Sequence, residues 1–278
     1  MSWTPALLAG AYATALLLLT AVPVFLSRNA TIKARWATWV VIAIITGLAQ
    51  IAGLVGAAVL AAAVGILCAV EYRRLVGFRR LDLAFLTVAV AGTVAAAVVW
   101  PSALTTVLAW MLGAAALLPI VFSQAAAGAQ RATFLVFGVL WLAWAPAQLV
   151  LLHEQLAVVV FAVGLTDVAS WAAGKSLRRL PLLRVRPFAV SPNKTVAGLL
   201  GGAFGAALAL LGTGFFSWPL LAAVALGAPA GDLLASAFKR RAGVKDAGSW
   251  LPGFGGMLDR ADSMLVVAPL MAFVLLVR

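Results

Sequence analysis

The sequence predicts an all-α polytopic membrane protein, a bundle of about nine or ten transmembrane helices. Of its 278 residues, 65% are hydrophobic and only 10% are charged. A soluble domain of this length needs far more charge to cover its surface. The apolar residues form long unbroken runs, which excludes the alternating pattern of a closed β-barrel. The charged residues gather in a few short segments between those runs.

The apolar runs give the order of the spans, because a helix needs roughly 20 apolar residues to cross a bilayer. The first run, 5–26, lacks the basic flank of a signal peptide, so we interpret it as a retained helix. The run 36–70 has 35 residues. At about 1.5 Å per residue it is much longer than a bilayer is thick, so we divide it into a hairpin that turns near Gly53 and Gly56. The remaining spans are 81–100, 102–122, 131–152, 155–173, 195–213, 215–238 and 262–277.

Basic residues distinguish the two faces of the bundle. With the hairpin included, the loops 27–35, 71–80, 123–131, 174–194 and 239–261 fall on one side and hold 19 of the 20 Lys and Arg residues. Since Lys and Arg concentrate in cytoplasmic loops, we predict that these loops face the cytoplasm of a cell (plasma or inner) membrane. The net charge of +12 then reflects this bias and attraction to anionic lipids or phosphates, so no nucleic-acid partner is predicted.

Seven of the eight acidic residues are predicted to lie at the same cytoplasmic end. Two of them, Asp167 and Asp232, lie inside apolar runs. A carboxylate costs roughly 2.5–3.5 kcal/mol at the centre of a transmembrane helix, so it usually lines a polar cavity or holds a partner. A salt bridge to a neighbouring Lys or Arg is the alternative for either residue alone. Together with the charged segment 236–263, the two residues favour a single site.

The charged segment continues a helix and then enters a glycine loop. Asp232, Ser236, Lys239 and Arg240 stand at positions i, i+4, i+7 and i+8, so they share one helix face. Lys and Arg on that face can bind phosphate oxygens. The stretch LPGFGG at 251–256 allows backbone amides to come close to a ligand.

Two aspartates follow the glycine loop at the beginning of the last helix. Asp259 and Asp262 are three residues apart, a spacing that places Cβ atoms roughly 5–6 Å apart on one helix face. With Asp232 they form a set of oxygen ligands suited to a hard divalent cation such as Mg²⁺. A basic loop that binds lipid headgroups is the alternative explanation for the Lys and Arg residues, but it does not account for the three aspartates.

The segment 231–263, GDLLASAFKRRAGVKDAGSWLPGFGGMLDRADS, resembles the signature of the phosphatidate cytidylyltransferase (CDP-diacylglycerol synthase) family. That signature runs S-x-x-K-R-x4-K-D, then P-G-H-G-G, then D-R-x-D. A second element, Asp167 followed by a basic loop and SPNKT at 191–195, is similar to the family's S-P-K-K-T, and EYRR at 71–74 is weakly similar to an early family segment.

The resemblance covers the C-terminal half well and the N-terminal half only by hydropathy. We therefore predict one integral membrane domain, in which 1–130 form a helical scaffold and 131–278 carry the site.

The resemblance implies a Mg²⁺-dependent transfer of CMP from CTP to phosphatidic acid or another lipid phosphate, with release of pyrophosphate at the cytoplasmic face. The resemblance leaves open whether a second cation binds together with Mg²⁺. The chemistry suits the residues, because two polyanions must meet and positive charge must offset their repulsion. A lipid substrate also explains a site at the membrane boundary, where the acyl chains remain among the membrane lipids.

The resemblance also implies roles for individual residues. The metal ligands would be Asp232, Asp259 and Asp262. The further catalytic residues would be Lys239, Arg240, Asp246 and Arg260, of which the three cations contact phosphates. The substrate and nucleotide pocket would include Asp167, Ser191, Lys194, Thr195, Ser236, Lys245, Gly255 and Gly256. For Ser191 or Thr195, a helix N-cap is a compatible second role.

Three positions depart from the family pattern. Phe254 stands where the glycine loop has histidine, and Ala235 and Ala197 stand where acidic residues are usual. A catalytically altered or silent paralogue is therefore one alternative to the transferase. A second is a CTP-dependent kinase of a polyprenol or phytol, and a third is a cation-coupled transporter.

Glycines are spaced by four residues in the predicted helix 195–213, namely Gly198 with Gly202 and Gly201 with Gly205. This spacing is typical of close helix packing in membranes. A homodimer formed through glycine-faced helices is a further expectation.

Overall fold

The computed structural model describes residues 4–122, 125–177, 179–180, 185–192, 194–249 and 255–276. These ranges are helical and contain no β-strand. A π-helical turn, Val139–Trp144, joins α6 to α7 without a break in the helix. The helices are α1 (Thr4–Leu26), α2 (Ala30–Ile51), α3 (Gly53–Val76), α4 (Arg80–Val99), α5 (Leu104–Val121), α6 (Ala125–Gly138), α7 (Ala145–Leu151), α8 (Leu156–Ser176), α9 (Val196–Gly212), α10 (Trp218–Arg241), α11 (Leu258–Ala261) and α12 (Met264–Leu276).

Within the described ranges, eight helical segments are long and apolar enough to cross a membrane, and α6 and α7 together form one of them. Two shorter apolar helices, α9 with 17 residues and α12 with 13, raise the number to ten. The predicted fold class, an all-α bundle of about nine or ten spans, is confirmed. The protein is an integral membrane protein.

The division of the long apolar run is also confirmed. Helix α2 ends at Ile51 and α3 begins at Gly53, whose φ of 62° is a left-handed conformation that favours glycine. One turn later α3 crosses α2 closely, because a Cβ atom at Gly56 would lie 2.7 Å from the Cα atom of Ala49. The two glycines therefore make the hairpin, one through its backbone conformation and the other through its lack of a side chain.

Helices α8 and α9 cross at short range along the predicted glycine faces. A Cβ atom at Gly205 would lie 2.6 Å from Ala169 Cβ and 2.8 Å from the carbonyl oxygen of Leu165. A Cβ atom at Gly201 would lie 2.8 Å from the carbonyl oxygen of Ala169. The role predicted for these glycines, close packing between helices, is confirmed.

An aromatic cluster anchors the last turns of α10. The ring of Phe238 lies 5.2 Å from Tyr72 of α3, 5.1 Å from Phe137 of α6 and 5.7 Å from Trp141 of the π-helical turn, measured between centroids. Such pairs contribute beyond the area they bury. The cluster therefore fixes α10 just before its three consecutive basic residues.

One end of the bundle holds the ends of α1, α3, α8 and α10 and the beginnings of α2, α4, α9 and α11, and we call it the basic end. Polar contacts join its elements across long stretches of chain. Arg131 of α6 forms a 2.6 Å ion pair with Asp82 of α4. At the opposite end, the side-chain amide of Gln50 donates to the carbonyl oxygen of His153 at 3.0 Å. The functional side chains predicted above gather at the basic end.

We expect Gly205→Val to destabilise the bundle, because the added side chain meets the backbone of α8 and overpacking of this kind typically costs about 1–3 kcal/mol. Thermal unfolding in detergent measures the effect. The matched control is Gly113→Val on α5, where a Cβ atom meets nothing within 4 Å. Equal midpoints for the two variants would contradict the close crossing of α8 and α9.

Candidate active site

The C-terminal half of helix α10 carries four of the predicted site residues, Asp232, Ser236, Lys239 and Arg240. Ser217 caps its N-terminus through the amide of Leu220, and the helix continues to Arg241 as predicted. Ser236 Oγ lies 3.4 Å from Asp232 Oδ1, which confirms that these two residues share a face. Asp232 keeps 41% of its side-chain surface exposed, so solutes can reach it.

The carboxylate of Asp259 is enclosed by donors. Lys239 Nζ lies 2.6 Å from its Oδ1, while the amides of Ala247 and Gly256 donate to its Oδ2 at 2.8 and 2.9 Å. The residue is only 6% exposed. Gly255 completes this enclosure with a φ of 84°, and a Cβ atom there would lie 2.6 Å from Asp259 Oδ2. Asp259 therefore holds the loop after α10 against the side chain of Lys239.

Asp262 lies in a different environment, although it is only three residues further on. Helix α11 ends at Ala261, and the chain turns at 262–263 before α12 begins. This turn lies directly against α10, because a Cβ atom at Gly231 would be 2.7 Å from the carbonyl carbon of Asp262. The contact brings Asp262 beside Asp232, the neighbour of Gly231.

The surroundings of Asp262 perturb its titration. Burial, followed by the negative charges of Asp232 and Asp167, raises the pKa of Asp262 to about 8. Asp262 precedes α12 and lies outside the membrane-spanning helices, and its Oδ1 accepts a 2.7 Å hydrogen bond from the amide of Ser263. Three carboxylates, Asp167, Asp232 and Asp262, thus interact at the basic end.

Two cations accompany these carboxylates. Lys194 Nζ lies 2.8 Å from Asp232 Oδ2 and 3.1 Å from the carbonyl oxygen of Pro229. Asp167 interacts electrostatically with both Lys194 and Arg260. The salt bridge that was considered as the alternative for Asp232 is therefore present.

Local hydrogen bonds order Ser191, Lys194 and Thr195, and the side chain of Lys194 reaches α10. The amide of Lys194 donates to the carbonyl oxygen of Ser191 at 3.1 Å. Thr195 caps α9, because its hydroxyl accepts from the amide of Gly198 at 3.2 Å. The compatible second role of Thr195 as a helix N-cap is confirmed, and the cap directs Lys194 towards Asp232.

Other predicted site residues lie at the rim. Arg240, Lys245 and Asp246 are exposed, and Arg240 donates to the carbonyl oxygen of Val244 at 3.1 Å. An open depression of about 540 Å³ lies beside α10, and its lining is Ala189, Val190, Pro192, Ala237 and Arg240. The substituted position Phe254 lies outside the described residues.

Glu71 is a residue that the sequence analysis did not place in the site. It lies near the end of α3 and is only 2% exposed. Its two oxygens accept hydrogen bonds from the amides of Met257, at 2.9 Å, and Leu258, at 2.7 Å. Two features of the sequence could have indicated Glu71: it is a carboxylate at the end of an apolar run, and it begins the stretch EYRR, which is weakly similar to a family segment.

Of the glycine loop 251–256, the structure describes only Gly255 and Gly256. The glycine loop was expected to offer amides to a ligand, but the amide of Gly256 binds Asp259 and the next two amides bind Glu71. In the part of the chain that the structure describes, no three His, Cys, Asp or Glu side chains are grouped to hold a metal ion. Of the three aspartates predicted as ligands, Asp232 and Asp262 interact with each other, whereas Asp259 binds Lys239.

Residues 33–277 match the model of the cytidylyltransferase family. The chain belongs to this family. The resemblance seen in the signature segment is confirmed, and the match begins within α2, so it includes most of the N-terminal half as well as the C-terminal half.

Individual relatives of this cytidylyltransferase-family chain share about 40% of aligned residues. A phosphatidate cytidylyltransferase of Staphylococcus aureus (strain COL) is 40% identical over 123 residues, which are 41% of this chain and 46% of that protein. Phosphatidate cytidylyltransferase 4, chloroplastic, of Arabidopsis thaliana is 40% identical over 38% of this chain and 28% of its own length. The uncharacterized protein YnbB of Escherichia coli (strain K12) is 41% identical over 40% of each chain. The match thus spans less than half of each relative.

We expect Lys239→Met to destabilise the protein, because it leaves the buried Asp259 without its cation, a loss that typically costs about 3–5 kcal/mol. Thermal unfolding in detergent is the measurement. Lys245→Met, an exposed lysine of the same segment, is the control and should change stability by less than about 0.5 kcal/mol. Similar unfolding of both variants would show that the 2.6 Å contact contributes little.

Proposed function

We propose that this protein transfers CMP from CTP to phosphatidic acid, forming CDP-diacylglycerol and pyrophosphate. The observation that carries the proposal is the ion pair of Asp232 with Lys194 at the basic end of a membrane bundle, with the turn at Asp262 packed directly against the neighbouring Gly231. Family membership and relatives named phosphatidate cytidylyltransferase support it.

The reaction joins two polyanions. An oxygen of the lipid phosphate forms a bond to the α-phosphorus of CTP, while the bond from that phosphorus to the bridging oxygen of the β-phosphate breaks. Pyrophosphate carries away the electron pair. Positive charge at the reacting phosphates offsets their repulsion, and we assign that role to Lys194 and Arg260, with Arg240 and Lys245 along the rim. Lys239 is available to phosphates only when its contact with Asp259 is released.

We assign Mg²⁺ to the pair Asp232 and Asp262. Carboxylate oxygens are the ligands Mg²⁺ prefers, and the turn at Asp262 lies directly against α10 beside Asp232. Mg²⁺, when bound, supplies charge stabilisation for the phosphates. Asp259 joins this pair only when its 2.6 Å contact with Lys239 is released. A second cation stays part of the proposal.

The acceptor is proposed to approach beside α10. The open depression there has walls formed by Ala237, Val190 and Pro192, with Arg240 at its edge. Apolar walls suit the acyl region of a lipid, and a guanidinium suits its phosphate. We propose that this end faces the cytoplasm, because it holds the basic loops and CTP is a cytoplasmic nucleotide.

Labelled CTP tests the proposal. Purified protein is incubated with Mg²⁺, phosphatidic acid and CTP labelled at the α- or γ-phosphate, and the lipid fraction is counted. Transfer of α-label into lipid is expected. Entry of γ-label instead, in a parallel reaction with a polyprenol as acceptor, would favour the lipid kinase. Entry of neither label in either reaction would favour a silent paralogue or a transporter.

We expect Asp232→Asn and Asp262→Asn each to lower transfer of the α-label by at least about 100-fold, because each removes a proposed metal ligand and its charge. The control is Glu154→Gln, an exposed acid at the opposite end of the bundle, which should leave transfer unchanged. Near-normal transfer by either aspartate variant, in protein that still unfolds cooperatively, would remove the metal assignment.

A further inference from the structure

The carboxylate of Glu71 connects two segments that are far apart in the chain. Its Oε1 accepts from the amide of Met257 and its Oε2 from the amide of Leu258, residues 186 and 187 positions further on. Hydrogen bonds to an ionised acceptor are the stronger kind, and two parallel bonds also fix orientation. Glu71 therefore holds the beginning of α11 against the end of α3.

Two glycines make room for this contact. A Cβ atom at Gly256 would overlap the Glu71 carboxylate, and one at Gly248 would lie 2.5 Å from Glu71 Oε1. Gly248 belongs to the first part of the loop that follows α10, and Gly256 to its end. The beginning and the end of this loop therefore both pack closely against the carboxylate of Glu71.

Helix α11 depends on such contacts, because it has only four residues. A helix this short has little stability of its own, so its position must come from tertiary contacts. It carries Asp259 and Arg260, and Asp262 follows directly. The position of all three therefore follows from how the amides of Met257 and Leu258 are held.

The residue after Glu71 reinforces the arrangement from the other side. Tyr72 packs against Phe238 of α10, with ring centroids 5.2 Å apart, and Phe238 directly precedes Lys239. Consecutive residues of α3 thus contact both segments that supply the site, α10 and the beginning of α11.

We propose that Glu71 is a positioning residue: its carboxylate sets the place of the segment 256–262 and thereby the rate of turnover. The effect on turnover rests on the proposed CMP transfer, whereas the effect on the segment does not. Glu71 itself touches no reacting atom in this proposal.

Glu71→Gln is the principal test, because it keeps the shape of the side chain while replacing one acceptor oxygen with a donor. Hydrogen exchange of the amides in 255–262 is measured first, and faster exchange than in the unaltered protein is expected. The kcat for transfer of the α-label should fall by about 30-fold, since small misplacements of reacting groups have effects of this size, while KM for CTP changes less than about threefold.

The matched control is Asp82→Asn. Asp82 is likewise a buried carboxylate at the basic end, bound by Arg131 and by the amide of Arg79. Its loss should lower stability. Exchange in 255–262 and kcat should stay within about twofold of normal, because the partners of Asp82, Arg131 and the amide of Arg79, lie outside that segment.

Gly248→Ala is the second variant, for use if Glu71→Gln does not fold. It keeps the charge but presses on the carboxylate, so it should also speed exchange in 255–262, and Gly47→Ala, where a Cβ atom meets nothing within 4 Å, should not. Normal exchange and normal kcat in Glu71→Gln or Gly248→Ala would overturn the inference while leaving CMP transfer intact. If Glu71→Gln speeds exchange in 255–262 but the unaltered protein transfers no label, the positioning role of Glu71 would be supported and the proposed function overturned.

Discussion

Buried carboxylates govern the basic end of this bundle, because a carboxylate that leaves water must regain its solvation from donors or cations. Asp82 is bound by Arg131, and Asp259 by Lys239 and two amides. Glu71 is bound by two further amides. The connections at this end place their amides beside these buried carboxylates. The shape of the site therefore depends on supplying each carboxylate with donors.

Asp262 differs from those carboxylates in its neighbours. Burial raises its pKa most, and the negative charges of Asp232 and Asp167 raise it further. Such a group of acids at the edge of a membrane, with Lys194 and Arg260 beside it, is suited to bind cations and phosphates together. Asp82, Asp259 and Glu71 thus hold the connections together, whereas Asp232 and Asp262 belong to the reactive part that we propose.

The same helices serve the membrane and the site. Helix α10 is long and apolar enough to span a membrane, yet its last turns carry Ser236 and Lys239. The aromatic cluster around Phe238 marks the level at which the apolar part of the bundle gives way to charge. A lipid phosphate likewise has an apolar part, its acyl chains, and a charged part, its phosphate. A site at the boundary between the apolar and charged parts of the bundle therefore suits such a substrate.

The sequence by itself determined the helices, the hairpin at Gly53, the basic end and the family, because hydropathy, glycine conformation and motif spacing are properties of short stretches of chain. Only the tertiary structure decided which carboxylate meets which partner. The spacing of Asp259 and Asp262 predicted a shared helix face, but α11 ends at Ala261 and the following turn gives the two side chains different surroundings. Glu71 could not be assigned from sequence because its partners are backbone amides, which carry no sequence signal, 186 and 187 residues away.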